Sequence, residues 1–215
     1  MLGFRNRFRI TGDVVGPLRI GFIYGIIASI VALAADLRYV VIDPSALEPW
    51  VLAAIETYRS SLALAACLFL GILAALRVRP TRLDPGVPYR SLLLRDGALA
   101  ATVVAVLFGV TVSLTTALQA TLLADEVRAY AEEAAPRITV YVDELAQRLD
   151  GPRPTTVEEV ESDLQPPELR DLGRSITNLV LRAVLLGTVG GLVGLLRGRS
   201  GASRGAPING KSRRE

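Results

Sequence analysis

Histidine is absent from this 215-residue chain, and cysteine occurs once, at Cys67. Without histidine there is no histidine-ligated haem, no ordinary zinc site, no Ser-His or Cys-His nucleophile pair and no imidazole relay. A single cysteine excludes an intrachain disulfide and any cysteine-cluster metal site. Lysine occurs once, at Lys211, against 23 arginines, a bias that fits a GC-rich genome better than a function. Aromatics make up only 6%. The chain has no N-x-Ser/Thr sequon, phosphate-binding glycine loop, G-x-S-x-G or H-E-x-x-H motif, or D-x-D-x-D-G calcium loop. No cofactor or metal is expected, and the chain reads as non-enzymatic. An enzyme acting on lipids would have to draw its carboxylates from the loops.

What is abundant is aliphatic. Hydrophobic residues make up 51% and the mean hydropathy is +0.41, which favours the membrane class. Four runs approach the roughly 20 residues needed for a ~30 Å hydrocarbon core. They are Leu18 to Ala35, Ser60 to Leu76, Gly97 to Leu118 and Ile176 to Leu196. The second can lengthen through "PWVLAAIETYRSS", with Pro49 in a first turn and Asp43-Pro44-Ser45 offering capping groups. The first follows a basic start and could be mistaken for a signal peptide. Three more apolar runs follow it, so it reads as a retained span.

Charge alternates between the runs. Residues 1–19 and the loop after the second run are arginine-rich, as is the tail after Leu196. The loop from Asp36 to Arg59 is acidic, and the segment from Asp125 to Arg174 carries thirteen acids against six arginines. By the positive-inside bias this predicts an all-α integral membrane protein with four transmembrane helices and both termini cytoplasmic. The expected location is the plasma (inner) membrane of a prokaryote. Tyr39, Trp50 and Tyr58 suit its outer interface.

The expected organisation is a basic segment 1–17, three spans with their loops over 18–121, an acidic extracytoplasmic helical cap 122–175, a fourth span 176–196 and a disordered basic tail 197–215. In the cap, Pro136 is expected to interrupt the helix that continues from the third span. Residues 138–142 read as helix or short strand. Thr155 with Glu158, or Thr156 with Glu159, would form a capping box, and three short helices result. So small an acidic segment must lean on the spans, the membrane surface or a partner.

Small residues recur every fourth position in the third span: Gly97, Ala101, Ala105, Gly109, Ser113 and Ala117. The fourth span repeats the device with Gly187 and Gly191. Such stripes let helix backbones approach closely in lipid. They serve packing within the bundle or contact with a membrane protein partner or second copy. Thr111, Ser113, Thr115, Thr116, Gln119 and Thr121 add a polar outer half to the third span. They could line a cavity or bond to helix carbonyls. No carboxylate falls in the middle of a run, which counts against coupled transport. A nucleic-acid partner is not expected, because no folded module accompanies the basic tail.

Arg182 is the exception within the fourth run. It lies about six residues, roughly 9 Å, from the expected outer end. Its side chain should lean toward the helix N-terminus and snorkel. The alternative is a partner at its depth: Asp36, Glu56, Asp125 or Gln119. Together these features are expected of a membrane scaffold, accessory or assembly subunit. The alternative is a small oligomeric channel or transporter using the polar half of the third span.

Overall fold

The computed structural model describes residues 11–79, 87–148 and 156–202, with side chains from residue 16 and up to residue 199. Among the described residues every regular element is helical. Four helices are long and apolar enough to cross a membrane: α1 (Thr11–Asp36), α3 (Pro49–Arg77), α4 (Tyr89–Ala120) and α7 (Asp171–Ala202). Between α1 and α3 lie the short α2 (Arg38–Val41) and a 3-10 turn, Pro44–Ala46. Between α4 and α7 lie α5 (Ala124–Arg148) and α6 (Val157–Leu164). The chain is thus built as a multi-pass membrane protein.

Each long helix exceeds its apolar run because the local signals lie outside it. Pro49 opens α3 at the first helical position, where its missing N–H costs nothing. The Asp43 carboxylate accepts from the Ser45 N–H at 2.9 Å and so starts the 3-10 turn. These bonds to Ser45 favour the ionised carboxylate and hold its pKa below the usual carboxylate value. Pro88 caps α4, which therefore begins eight residues before Gly97. That extension carries Asp96 into the helix. Its side chain is buried, with Arg95 Nε at 2.9 Å, rather than lying in a loop. Residues 11–17 and 197–202, expected to lie outside the spans, extend α1 and α7.

α4 is the hub and packs against α1, α3 and α7. The interior of the bundle is made of small side chains such as Ala28, Ala32, Ala63, Cys67, Ala100 and Ala105. The large ones point outward, including Phe22, Ile26, Ile30, Phe69, Val184 and Leu192. In water this arrangement would leave large apolar surfaces exposed. In lipid it is the expected one, since close backbone approach replaces the hydrophobic drive between helices. At the end remote from α5, Arg197 of α7 donates to the carbonyls of Leu76 and, at 2.7 Å, of Val78. It closes the C-terminus of α3, whose last carbonyls have no helical donor.

The segment joining α4 to α7 departs from expectation. α4 stops at Ala120 and a short turn separates it from α5. α5 then runs unbroken through Pro136, and residues 138–142 are helix. Among the described residues this segment contains two helices before α7 rather than three. Pro136 removes one helical donor. However, it sits on the exposed face near the exposed Glu132, where water can reach the freed carbonyl. The opposite face buries Val127, Tyr130, Ala131, Ala134, Ala135 and Ile138. These residues form a second apolar cluster with Leu164 of α6, Tyr39 of α2, and Leu52 and Ala53 of α3. Tertiary burial along one stripe outweighs the proline. Leu145 is exposed, and residues 149–155 lie outside the described residues.

α6 begins at a reciprocal capping box. The Glu159 N–H donates to Thr156 Oγ1, and the Thr156 N–H to Glu159 Oε2, both at 3.2 Å. The Thr155 alternative falls outside the described residues. Thr156→Ala should cost about 1 kcal/mol of local helix stability. Amide hydrogen exchange would show this as faster exchange at Glu159, with α5 unchanged. Equal exchange in both proteins would mean that α6 is held by Leu164 alone.

Candidate functional site: an ion cluster between the spans and the cap

The described polar groups concentrate where α1 ends, α2 turns and α3 meets α5. Arg38 sits on α2 with its side chain 7% exposed, and Glu56 sits two turns into α3 at 8%. The guanidinium grips the carboxylate with two bonds, Nε to Oε1 and Nη2 to Oε2. Tyr130 of α5 donates to Oε1 at 2.8 Å. Arg59, one turn along α3, places Nε 3.2 Å from Oε2. The Arg38 guanidinium also lies 5.5 Å from the centroid of the Tyr130 ring. One carboxylate therefore joins α2, α3 and α5.

A second carboxylate completes the cluster. Asp36, the last residue of α1, accepts from Thr115 Oγ1 of α4 at 2.5 Å. Gln119 Nε2 donates to the backbone carbonyl of Asp36 at 2.6 Å, satisfying one of the acceptors that a helix end leaves open. Arg59, Arg38 and Arg182 all act electrostatically on Asp36. Counting Arg38, Arg59, Glu56 and Asp36, the charges cancel. That balance is the condition under which buried ions are tolerated. Burial and the neighbouring Glu56 push the Tyr130 hydroxyl far above the ordinary tyrosine range, so it remains a donor. Burial likewise raises Tyr39.

Arg182 is not ion-paired: among the described residues no carboxylate oxygen lies within 4 Å of it. The guanidinium instead stands 5.5 Å from the centroid of the Phe108 ring. The contacts Gly97 to Gly190 and Gly109 to Leu179 set an antiparallel register between α4 and α7. In that register Phe108 lies toward the α7 N-terminus from Arg182. The side chain leans in the direction expected but ends on an aromatic face. Three of its four sequence-expected partners, Asp36, Glu56 and Gln119, do come together, but around Arg38 and Arg59. The fourth, Asp125, pairs with Arg128 at 2.6 Å.

The small residues lie along the α4–α7 seam and its crevice with α3. A Cβ on Gly97 would stand 2.6 Å from the carbonyl oxygen of Gly190 and 3.6 Å from the Ala75 Cβ. Ala101 faces Gly190 and approaches Gly71. Ala105 is in the bundle core, Gly109 meets Leu179, and Ser113 hydrogen-bonds Ser175 at 3.0 Å. Gly187 meets Thr102, Gly191 meets Ala98 and Leu94, and Ala117 is half-buried. A repeat of four drifts around a helix of 3.6 residues per turn, so one stripe serves successive neighbours.

Arg38 and Arg59 were read from sequence only as loop charges. The signal that could have singled them out was the Glu56/Arg59 spacing on the extended α3, with Arg38 two residues beyond the acidic end of α1. Among the described residues no three His, Cys, Asp or Glu side chains converge as metal ligands. Comparison with protein families, curated proteins and solved structures found no match.

Proposed function

We propose that this chain is a non-enzymatic membrane scaffold or assembly subunit. It lies in the inner membrane of a prokaryote, with both termini cytoplasmic and α5–α6 outside. The observation carrying this reading is how the polar half of α4 is used. Thr111, Thr116 and Thr121 donate to the carbonyls of Leu107, Val112 and Ala117 on their own helix. Ser113 is engaged with Ser175, and Thr115 and Gln119 with Asp36. A conduction path needs such groups turned toward a water-filled lumen. Here three are bonded back to their own helix and three join α4 to α7 or α1, which favours the scaffold over the channel.

The cap supports the same reading. Its apolar face is held against α3, and acids such as Glu132, Glu133, Glu158 and Asp163 are exposed. A surface of this kind suits a basic partner. Purification in mild detergent should retain a stoichiometric membrane partner, and proteoliposomes should hold their solutes. A homo-oligomer that releases solutes would establish the channel instead.

Orientation has its own test. Ser162 is exposed on α6. A Ser162→Cys variant in a Cys67→Ser background should react in intact cells with a membrane-impermeant thiol reagent. Labelling only after permeabilisation would place the cap in the cytoplasm and reverse the topology.

A further inference from the structure

Two neighbouring hollows lie along α7 and share two of its side chains. The first, about 360 Å³, is lined by Thr116 of α4 and by Asp171, Arg174, Ser175, Asn178 and Arg182 of α7. The second, about 440 Å³, runs deeper between α3 and α7. Leu64, Leu68, Leu181, Leu185 and Val189 give it aliphatic walls. Asn178 and Arg182 line both hollows. Along α7 the chemistry therefore changes from hydrogen-bond donors to hydrocarbon.

The first hollow carries two cations and one anion. Asp171 already accepts the Glu168 N–H at 2.9 Å. Arg182 rests on Phe108 without an ion pair, so N–H donors of its guanidinium fork are left over. A positive, donor-rich hollow suits phosphate oxygens. The step from Arg182 to Val189 is about 10 Å at 1.5 Å per residue, within the ~15 Å of hydrocarbon in one leaflet. We propose that the two hollows form a single site for an anionic phospholipid of the leaflet on the α5 side. Arg182, Arg174 and Asn178 hold its phosphate, and one acyl chain fills the slot between α3 and α7. This inference requires the four spans but neither the scaffold role nor the orientation.

The test uses the full chain in neutral detergent, followed by native mass spectrometry. It is titrated with phosphatidylglycerol, with phosphatidylcholine of the same chains, or with inorganic phosphate. Phosphatidylglycerol should bind about tenfold more tightly than phosphatidylcholine, which has the same phosphate but carries a choline cation that the two arginines repel. Arg182→Gln should erase that preference and Arg182→Lys should keep part of it. Arg174 is exposed, so Arg174→Gln should keep the fold and reduce the preference; it decides the matter if Arg182→Gln does not fold. Leu68→Trp should block the slot and weaken both lipids. Equal binding of the two lipids to the unaltered chain would overturn the proposal. So would a preference that survives Arg174→Gln together with Arg182→Gln. Saturable phosphate binding with lipid binding indifferent to Leu68→Trp would mean a free-anion site and would also overturn it.

Discussion

Glu56→Ala should destabilise the protein by about 3–5 kcal/mol, the cost of removing one partner from a buried ion pair. The carboxylate is the common acceptor for Arg38, Arg59 and Tyr130. Its loss leaves a buried guanidinium on α2 with no counter-ion at hydrogen-bond distance, and a tyrosine hydroxyl with no acceptor. Arg59 can turn toward water, because its side chain is 28% exposed; Arg38, at 7%, has little such freedom. Denaturation in mixed detergent should show the loss, and limited proteolysis should cut first between α5 and α7. The exposed Arg128–Asp125 pair is the comparison: Arg128→Ala should cost no more than about 1 kcal/mol. Adding Arg38→Met to Glu56→Ala should recover part of the loss, because a matched apolar pair needs no counter-ion. If Glu56→Ala costs no more than Arg128→Ala, the cluster does not hold the cap in place.

The second large effect belongs to the seam between α4 and α7. A Cβ added at Gly194 would lie 2.1 Å from the carbonyl oxygen of Leu93, and one added at Gly190 would lie 2.6 Å from that of Gly97. The obstacle at Gly194 is backbone, and at Gly190 it is backbone together with the Ala101 Cβ at 2.4 Å; neither can rotate aside as a longer side chain can. Gly194→Val should therefore force the helices apart and cost about 3 kcal/mol, the upper part of the usual range for overpacking. Gly173 is the internal control, because a Cβ there meets nothing within 4 Å. Gly173→Ala should be neutral or stabilise by up to about 1 kcal/mol through helix propensity. A Gly194→Val protein that melts with the original chain would show that this close approach does not contribute to stability.

The four spans were legible because a bilayer imposes a length and an apolarity that few other environments require. Gly97, Gly187 and Gly191 were legible for a related reason: only small residues allow such approach in lipid. The end of α4 and the course of α5 were not. Pro136 is a strong local signal for a break, and it is overruled by a buried stripe whose partners, Tyr39 and Leu52, lie far away in sequence. The ion cluster was half legible. Its acids were visible as possible companions for an arginine, but only for Arg182 and only as the alternative to snorkelling. Arg182 stood out because it interrupts an apolar run. Arg38 and Arg59 did not, because the helices that bury them extend beyond the hydrophobic runs that mark them.

The clasp made by Arg197 bears on how the chain is made. α7 leaves the ribosome after α1, α3 and α4. Until it inserts, the final carbonyls of α3 lack the donor that closes them, and the glycine face of α4 meets only lipid. The packing of these four helices is therefore completed by α7. A nascent chain halted after α6 would display in the bilayer the same groove that the mature protein keeps covered, which makes that intermediate a natural client for a membrane insertase or quality-control protease.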